Sequence, residues 1–133
     1  MTGNSILLDT NIIIDWLKGS KLITEKIDRT ESVFIPSIVI GELYFGATHS
    51  LHVQKNIETI TRLTLSYTVL SVDENIAREY GNIKCELLRK GRPIPENDIW
   101  IAALARCNNL VLVTRDKHFK EIDELDIEEW AAL

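Results

Sequence analysis

The sequence predicts an α/β domain built on a parallel sheet, and three observations carry that expectation. Short β-like apolar runs alternate with longer stretches of helical spacing along the whole chain. The run Leu110 to Val113 is apolar at every position, as a strand covered on both faces requires. The 133 residues, 45% hydrophobic and 26% charged, suit one globular domain, since a chain of this length buries roughly two-thirds of its unfolded surface.

Each element has its own local reason. Ser5 to Leu8 reads as a buried first strand, and Thr10 to Lys18 as a helix closed by Gly19, the residue that best tolerates the left-handed C-terminal position. A second helix is expected over Leu22 to Arg29 and a second strand over Val33 to Ile35. Pro36-Ser37 then punctuates the chain, with Ser37 as the cap of a helix to about His49. Another helix is expected from about Leu51 to Leu63, then a third strand at Thr68 to Leu70. Ser71-Val72-Asp73-Glu74 has the capping-box form ahead of a helix to Lys90, which Gly91 ends. After Arg92-Pro93-Ile94-Pro95 comes a helix from about Asn97 to Cys107, stopped by Asn108-Asn109, then the strand Leu110 to Val113 and a last strand near Asp126 to Glu128. There is no internal repeat and no low-complexity segment.

Composition narrows the classes of function. No apolar run approaches the ~20 residues of a membrane helix, and the first residues lack the basic flank and apolar stretch of a signal peptide. The expectation is a cytoplasmic protein without a membrane partner. Cys85 and Cys107 are lone thiols with no Cys-x-x-Cys spacing, which argues against a disulfide scaffold or zinc knuckle. The net charge of −5 reflects six acids at Glu121, Asp123, Glu124, Asp126, Glu128 and Glu129, in a stretch without Lys or Arg. The rest of the chain carries 15 basic and 14 acidic residues, so an acidic total does not exclude a nucleic-acid partner.

Four carboxylates stand out. Asp9 follows the run Ile6 to Leu8 and Asp116 comes just after Val111 to Arg115, so both belong at the strand carboxyl ends, where open parallel sheets place their sites. Helix capping, worth about 1 kcal/mol, explains either one taken alone. Glu42 has Ile38, Val39 and Phe45 as its neighbours at helical spacing, which puts it on an apolar face of a largely apolar helix. A bare carboxylate there costs several kcal/mol, so an Arg, a proton or a metal ion must meet it. With no Lys or Arg between Arg29 and Lys55, the metal ion is preferred. Asp98 opens the apolar helix that continues to Ala105. Carboxylates gathered together remain ionised only beside a cation, and oxygen ligands of this kind suit Mg²⁺ or Mn²⁺.

Four blocks in this order, Leu7-Leu8-Asp9-Thr10-Asn11-Ile12, Ile38 to Ala47 around Glu42, Ile94 to Ala103 around Asp98, and Leu110 to Phe119 around Asp116, resemble the PIN-domain nucleases. The closer likeness is to toxins of VapBC-type toxin–antitoxin pairs. The resemblance implies a three-layer α/β/α fold around a parallel sheet of four to five short strands. It also implies Mg²⁺ or Mn²⁺ held by Asp9, Glu42, Asp98 and Asp116 as catalytic and metal-binding residues, with supporting hydrogen bonds from Asn11 and Thr114. The implied activity is endonucleolytic cleavage of RNA. The implied partners are a cognate antitoxin and a second copy of the chain, with DNA reached only through the antitoxin.

Arg89, Lys90, Arg92, Arg115 and Lys117 bracket these acids and are candidates for RNA phosphates, although basic residues near helix ends are also ordinary. Asp15 and Asp73 read as surface or capping acids. His49, His52 and His118 form no visible ligand set and are assigned no catalytic role. Two other readings remain open at this point: a phosphoacceptor receiver domain, which lacks its expected acid because Val69-Leu70 leads to Ser71, and a non-catalytic binding module.

Overall fold

The computed structural model describes residues 5–130. Strands β1 (Ser5–Leu8), β2 (Ser32–Pro36), β3 (Thr68–Leu70), β4 (Val111–Val113) and β5 (Ile127–Glu128) form one sheet in the order β3-β2-β1-β4-β5, with every neighbouring pair parallel. Six helices flank it: α1 (Thr10–Leu17), α2 (Lys21–Asp28), α3 (Ser37–Thr48), α4 (Val53–Ser66), α5 (Glu74–Lys90) and α6 (Glu96–Cys107). A 3₁₀ turn over Lys117–Glu121 had no counterpart among the expected elements. Among the described residues no helix is long and apolar enough to cross a membrane.

The core follows from the pattern of side chains. Ile6, Leu7 and Leu8 of the central strand and all of β4 are buried, which is why their runs are unbroken by polar residues. α6 buries Ile99 and every residue from Ile101 to Ala105, and the alanines let the helix lie close to its neighbours. Gly91 ends α5 at φ 66° and Gly19 follows α1 at φ 93°, both in the region that glycine occupies without a Cβ clash.

Local capping differs from expectation in two places. Ser37 is the first residue of α3 rather than its cap, because Pro36 occupies the N-cap with no side-chain bond. At α5 the cap is Asp73, whose Oδ1 accepts the Ile76 N–H at 3.0 Å; a carboxylate one residue from the helix displaces Ser71 from that role. α3, read as a largely apolar helix, buries only one of its faces in the described fold. Val39, Ile40, Leu43 and Ala47 face the core, while Gly41, Glu42, Phe45 and Gly46 are exposed, so its apolar residues serve two faces.

Arg106 on α6 ties this layer together. Its guanidinium, 13% exposed, donates to Glu79 at 2.6 Å, to both oxygens of Glu86 at 3.1 and 3.2 Å, and to the Asp123 carbonyl at 2.9 Å. Removing it would leave two α5 carboxylates facing each other in a partly desolvated place. Arg106→Met is expected to lower the unfolding free energy by about 2 kcal/mol in urea titration. Arg106→Lys should recover only part of this, since an ammonium lacks the planar fork; a loss below about 0.5 kcal/mol for Met would contradict the assignment.

Candidate metal centre

The site begins with the pairing of β1 and β4. Their register sets Leu8 against Val113, and the Asp9 N–H continues the ladder to the Val113 carbonyl at 3.0 Å. Asp9 and Thr114, the next residues along, therefore meet side by side. They are the only polar or charged residues buried among those described, and they bond to each other, Thr114 Oγ1 donating to Asp9 Oδ2 at 2.7 Å.

Further contacts fix both side chains. Asp9 Oδ1 accepts the Thr10 N–H at 2.8 Å, and Asn11 Nδ2 reaches Asp9 Oδ2 at 3.4 Å. Asn11 Oδ1 accepts the Arg115 N–H at 3.4 Å, so this side chain spans from the end of β1 to the end of β4. Thr114 Oγ1 in turn accepts the Asp116 N–H at 2.9 Å. A single hydroxyl thus links Asp9 to the backbone that carries Asp116.

Asp116 caps the 3₁₀ turn, accepting the His118 N–H at 2.9 Å, and Asp98 enters from the first turn of α6. One ligand atom from each of Asp98, Asp116 and His118 lies within 4.8 Å of the others. His118, which the sequence reading did not single out, lies beside Asp98 and Asp116. Nothing in its spacing from other histidines could reveal this; the usable signal was its place two residues after Asp116, close enough for one short turn to bring the two side chains together. Glu42 also differs from expectation: it is exposed on α3, not sunk in an apolar face, and lines an open groove with Thr10, Ile38, Phe45 and Asn97. Its Oε1 accepts from Thr10 Oγ1 at 2.8 Å, which aims it toward the end of β1.

The electrostatics record the crowding. Burial is the main influence raising the pKa of Asp9; the bonds from Thr114 and Thr10 oppose it, and the charges of Asp116 and Glu42 add to it. The Asp98 carboxyl is pushed up to about 6, first by burial and then by the charges of Asp9 and Asp116, with His118 opposing. No Lys or Arg among the described residues pairs with Asp9, Asp98 or Asp116. Carboxylates packed together and left without a basic partner are a donor set that suits a hard divalent cation, so these residues fit such an ion.

The basic candidates divide. Arg115 is ion-paired with Asp15, so an acid first read as a surface residue holds this guanidinium. Lys90 binds Asp123 at 2.7 Å, and Arg92 lies 3.9 Å from Glu121, so part of the acidic C-terminal stretch balances the end of α5. Arg89 and Lys117 are exposed and make no ion pair among the described residues.

A pH dependence follows from Asp98. Because its folded-state pKa is above the unfolded value, the metal-free folded protein holds a proton that the unfolded chain releases. The stabilisation is complete below the ordinary carboxylate range near pH 4 and is lost as pH rises through about 6. Calorimetry of the metal-free protein should give a lower melting temperature at neutral pH than near pH 5, with Asp98→Asn shrinking the difference. Identical pH dependence in parent and variant would contradict the assignment.

Comparison with known proteins identifies the family of the fold. The PIN domain matches residues 6–125. The chain is 37% identical over 127 residues to ribonuclease VapC2 of Haemophilus influenzae, covering 93% of this chain and 96% of that one. It is 35% identical over 127 residues to the tRNA(fMet)-specific endonuclease VapC of Salmonella typhimurium, at the same two coverages. Among solved structures, DNA-bound VapBC from Salmonella typhimurium superposes with a TM-score of 0.90 at 34% identity, covering 98% of this chain and 100% of that one. VapBC-1 from nontypeable Haemophilus influenzae gives 0.86 at 36% identity, with 94% and 97% covered. With nearly the full length matched and the five-stranded parallel sheet in common, the chain belongs to the PIN-domain family.

Proposed function

We propose that this protein is a metal-dependent endoribonuclease, the toxin of a type II toxin–antitoxin pair. The observation that carries the reading is the grouping of Asp98, from the first turn of α6, with Asp116, just after β4, and Asp9 near enough for its charge to act on Asp98, with no Lys or Arg among the described residues pairing with any of the three. Asp98 and Asp116, with Asp9 behind them and Glu42 at the groove, would hold Mg²⁺ or Mn²⁺. Such an ion, when bound, lowers the pKa of a water for attack on a phosphodiester and offsets charge on the phosphoryl oxygens.

The chain's own groups do the rest. Thr114 and Asn11 hold Asp9 in one rotamer, so its carboxylate is set before the substrate arrives. Thr10 orients Glu42 at the mouth. Lys117, next to Asp116, and Arg89, exposed and in no ion pair among the described residues, are the cations assigned to the RNA backbone, where contacts hold position without reading sequence. Arg115, Lys90 and Arg92 would have to exchange carboxylate partners for phosphate to take part.

The same family reading supplies the partners. An antitoxin segment would lie along the groove that runs past Ile14, Leu17, Glu42 and Lys55, whose mixed apolar and charged lining suits a peptide. A homodimer is expected, with DNA bound only by the antitoxin. The receiver reading is not retained: β3 is an edge strand ending at Leu70, Ser71 follows it directly, and the first acid beyond, Asp73, caps α5. A cytoplasmic location accords with an RNA substrate.

Purified protein is expected to cleave RNA only with Mg²⁺ or Mn²⁺ present, initiator tRNA being a sensible first substrate given the Salmonella relative's name. Asp9→Asn and Asp98→Asn should each reduce cleavage by about 100-fold or more in a gel assay while keeping the fold. Variants as active as the parent would overturn the mechanism. Thr114→Val, which removes the hydroxyl and keeps the shape, should slow cleavage by about tenfold, the expected loss when a ligand's own support is removed. An unchanged rate would show that the Asp9 rotamer does not depend on that bond.

A further inference from the structure

We infer that His118 is a direct metal ligand, so that the centre combines carboxylates with one imidazole and selects Mn²⁺ over Mg²⁺. The inference rests on the reading of the acidic pocket as a metal centre and adds a donor to it.

The distances carry the argument. His118 Nδ1 lies 3.0 Å from Asp116 Oδ1 and 3.4 Å from Asp98 Oδ2. An octahedral ion with ligands at about 2.1–2.2 Å puts adjacent donors about 3 Å apart and opposite donors about 4.3 Å apart. The two distances to Nδ1 therefore have the spacing of adjacent donors on a shared ion, and one ligand atom of each of the three residues lies within 4.8 Å of the others. Nδ1 lies in hydrogen-bonding geometry with Asp98 Oδ2, and a lone pair on that nitrogen would point in the same direction, toward a cation.

The imidazole is placed independently of any ion. Asp116 caps the turn through the His118 N–H at 2.9 Å, and the next residue, Phe119, is fully buried and pins the turn to the core. The ring remains about half exposed, which leaves a route for ions to enter and for water to complete the coordination. Charge gives a further reason. Asp9, Asp98 and Asp116 already repel one another, so another carboxylate would add to that repulsion, whereas a neutral imidazole supplies a donor without charge.

Ion selection follows from donor type. Mg²⁺ prefers all-oxygen ligation and gains little from nitrogen, while Mn²⁺ and later divalent metals accept imidazole readily. His118 would also orient Asp116, but orientation alone creates no metal–nitrogen bond, and that separates the two roles.

The test uses the full chain without an affinity tag, Mn²⁺ as the probe, and the variants His118→Ala and His118→Gln. Pulsed electron paramagnetic resonance of the Mn²⁺-loaded parent should show ¹⁴N modulation from a bound imidazole, absent in both variants. Mn²⁺ affinity should fall by about tenfold in the variants, while Mg²⁺ affinity, read by competition with Mn²⁺, changes by less than about twofold. Bound Mn²⁺ without nitrogen coupling in the parent would overturn the imidazole ligand and leave the carboxylate centre standing. Coupling that persists in His118→Ala would overturn it equally. Failure of Mn²⁺ to bind at all would overturn both this inference and the metal-centre reading beneath it.

Discussion

The parallel register of β1 against β4 is the constraint on which the site depends. It pairs Leu8 with Val113 and so delivers Asp9 and Thr114, 105 residues apart in sequence, to adjacent positions at one sheet edge. A one-residue slip would turn each strand's alternate side chains to the opposite face and separate the pair. Buried residues at every position of Ile6 to Leu8 and Val111 to Val113 make such a slip costly, so the hydrophobic core holds the chemistry in register.

The site contains an electrostatic conflict that the fold alone does not relieve. Burial and neighbouring charge both raise the Asp9 and Asp98 pKa values, and the groups opposing them are hydroxyl, amide and imidazole rather than Lys or Arg. Elsewhere the chain pairs its charges readily: Arg106 with Glu79 and Glu86, Arg115 with Asp15, Lys90 with Asp123. Local strain of this kind, in a protein that resolves it elsewhere, is what a cation-binding pocket would cost before its ion arrives. The acidic C-terminal stretch belongs to the second category, because its carboxylates steady the end of α5.

Much of the architecture was legible because it rests on local rules. The strands Ser5–Leu8 and Thr68–Leu70 have the bounds expected of them, and Gly91 ends α5 where its freedom at positive φ predicts. Asp9 and Asp116 could be placed at one edge from their position after apolar runs. What was not legible depends on three-dimensional competition. Asp73 outcompeted Ser71 for the α5 cap, and the exposed side of α3 at Glu42 is apolar enough at Ile38 and Phe45 to mimic a core face. The pairing of Arg115 with Asp15 and the approach of His118 to Asp98 depend on how the segment after β4 folds back against α1 and α6.

The claim that these carboxylates form one cation centre is tested most directly by anomalous diffraction from crystals soaked in Mn²⁺. A manganese peak is expected within about 2.0–2.5 Å of carboxylate oxygens from both Asp98 and Asp116, with Asp9 lining the same site. A well-ordered crystal with no peak there, or with manganese bound only at other surface acids, would contradict it.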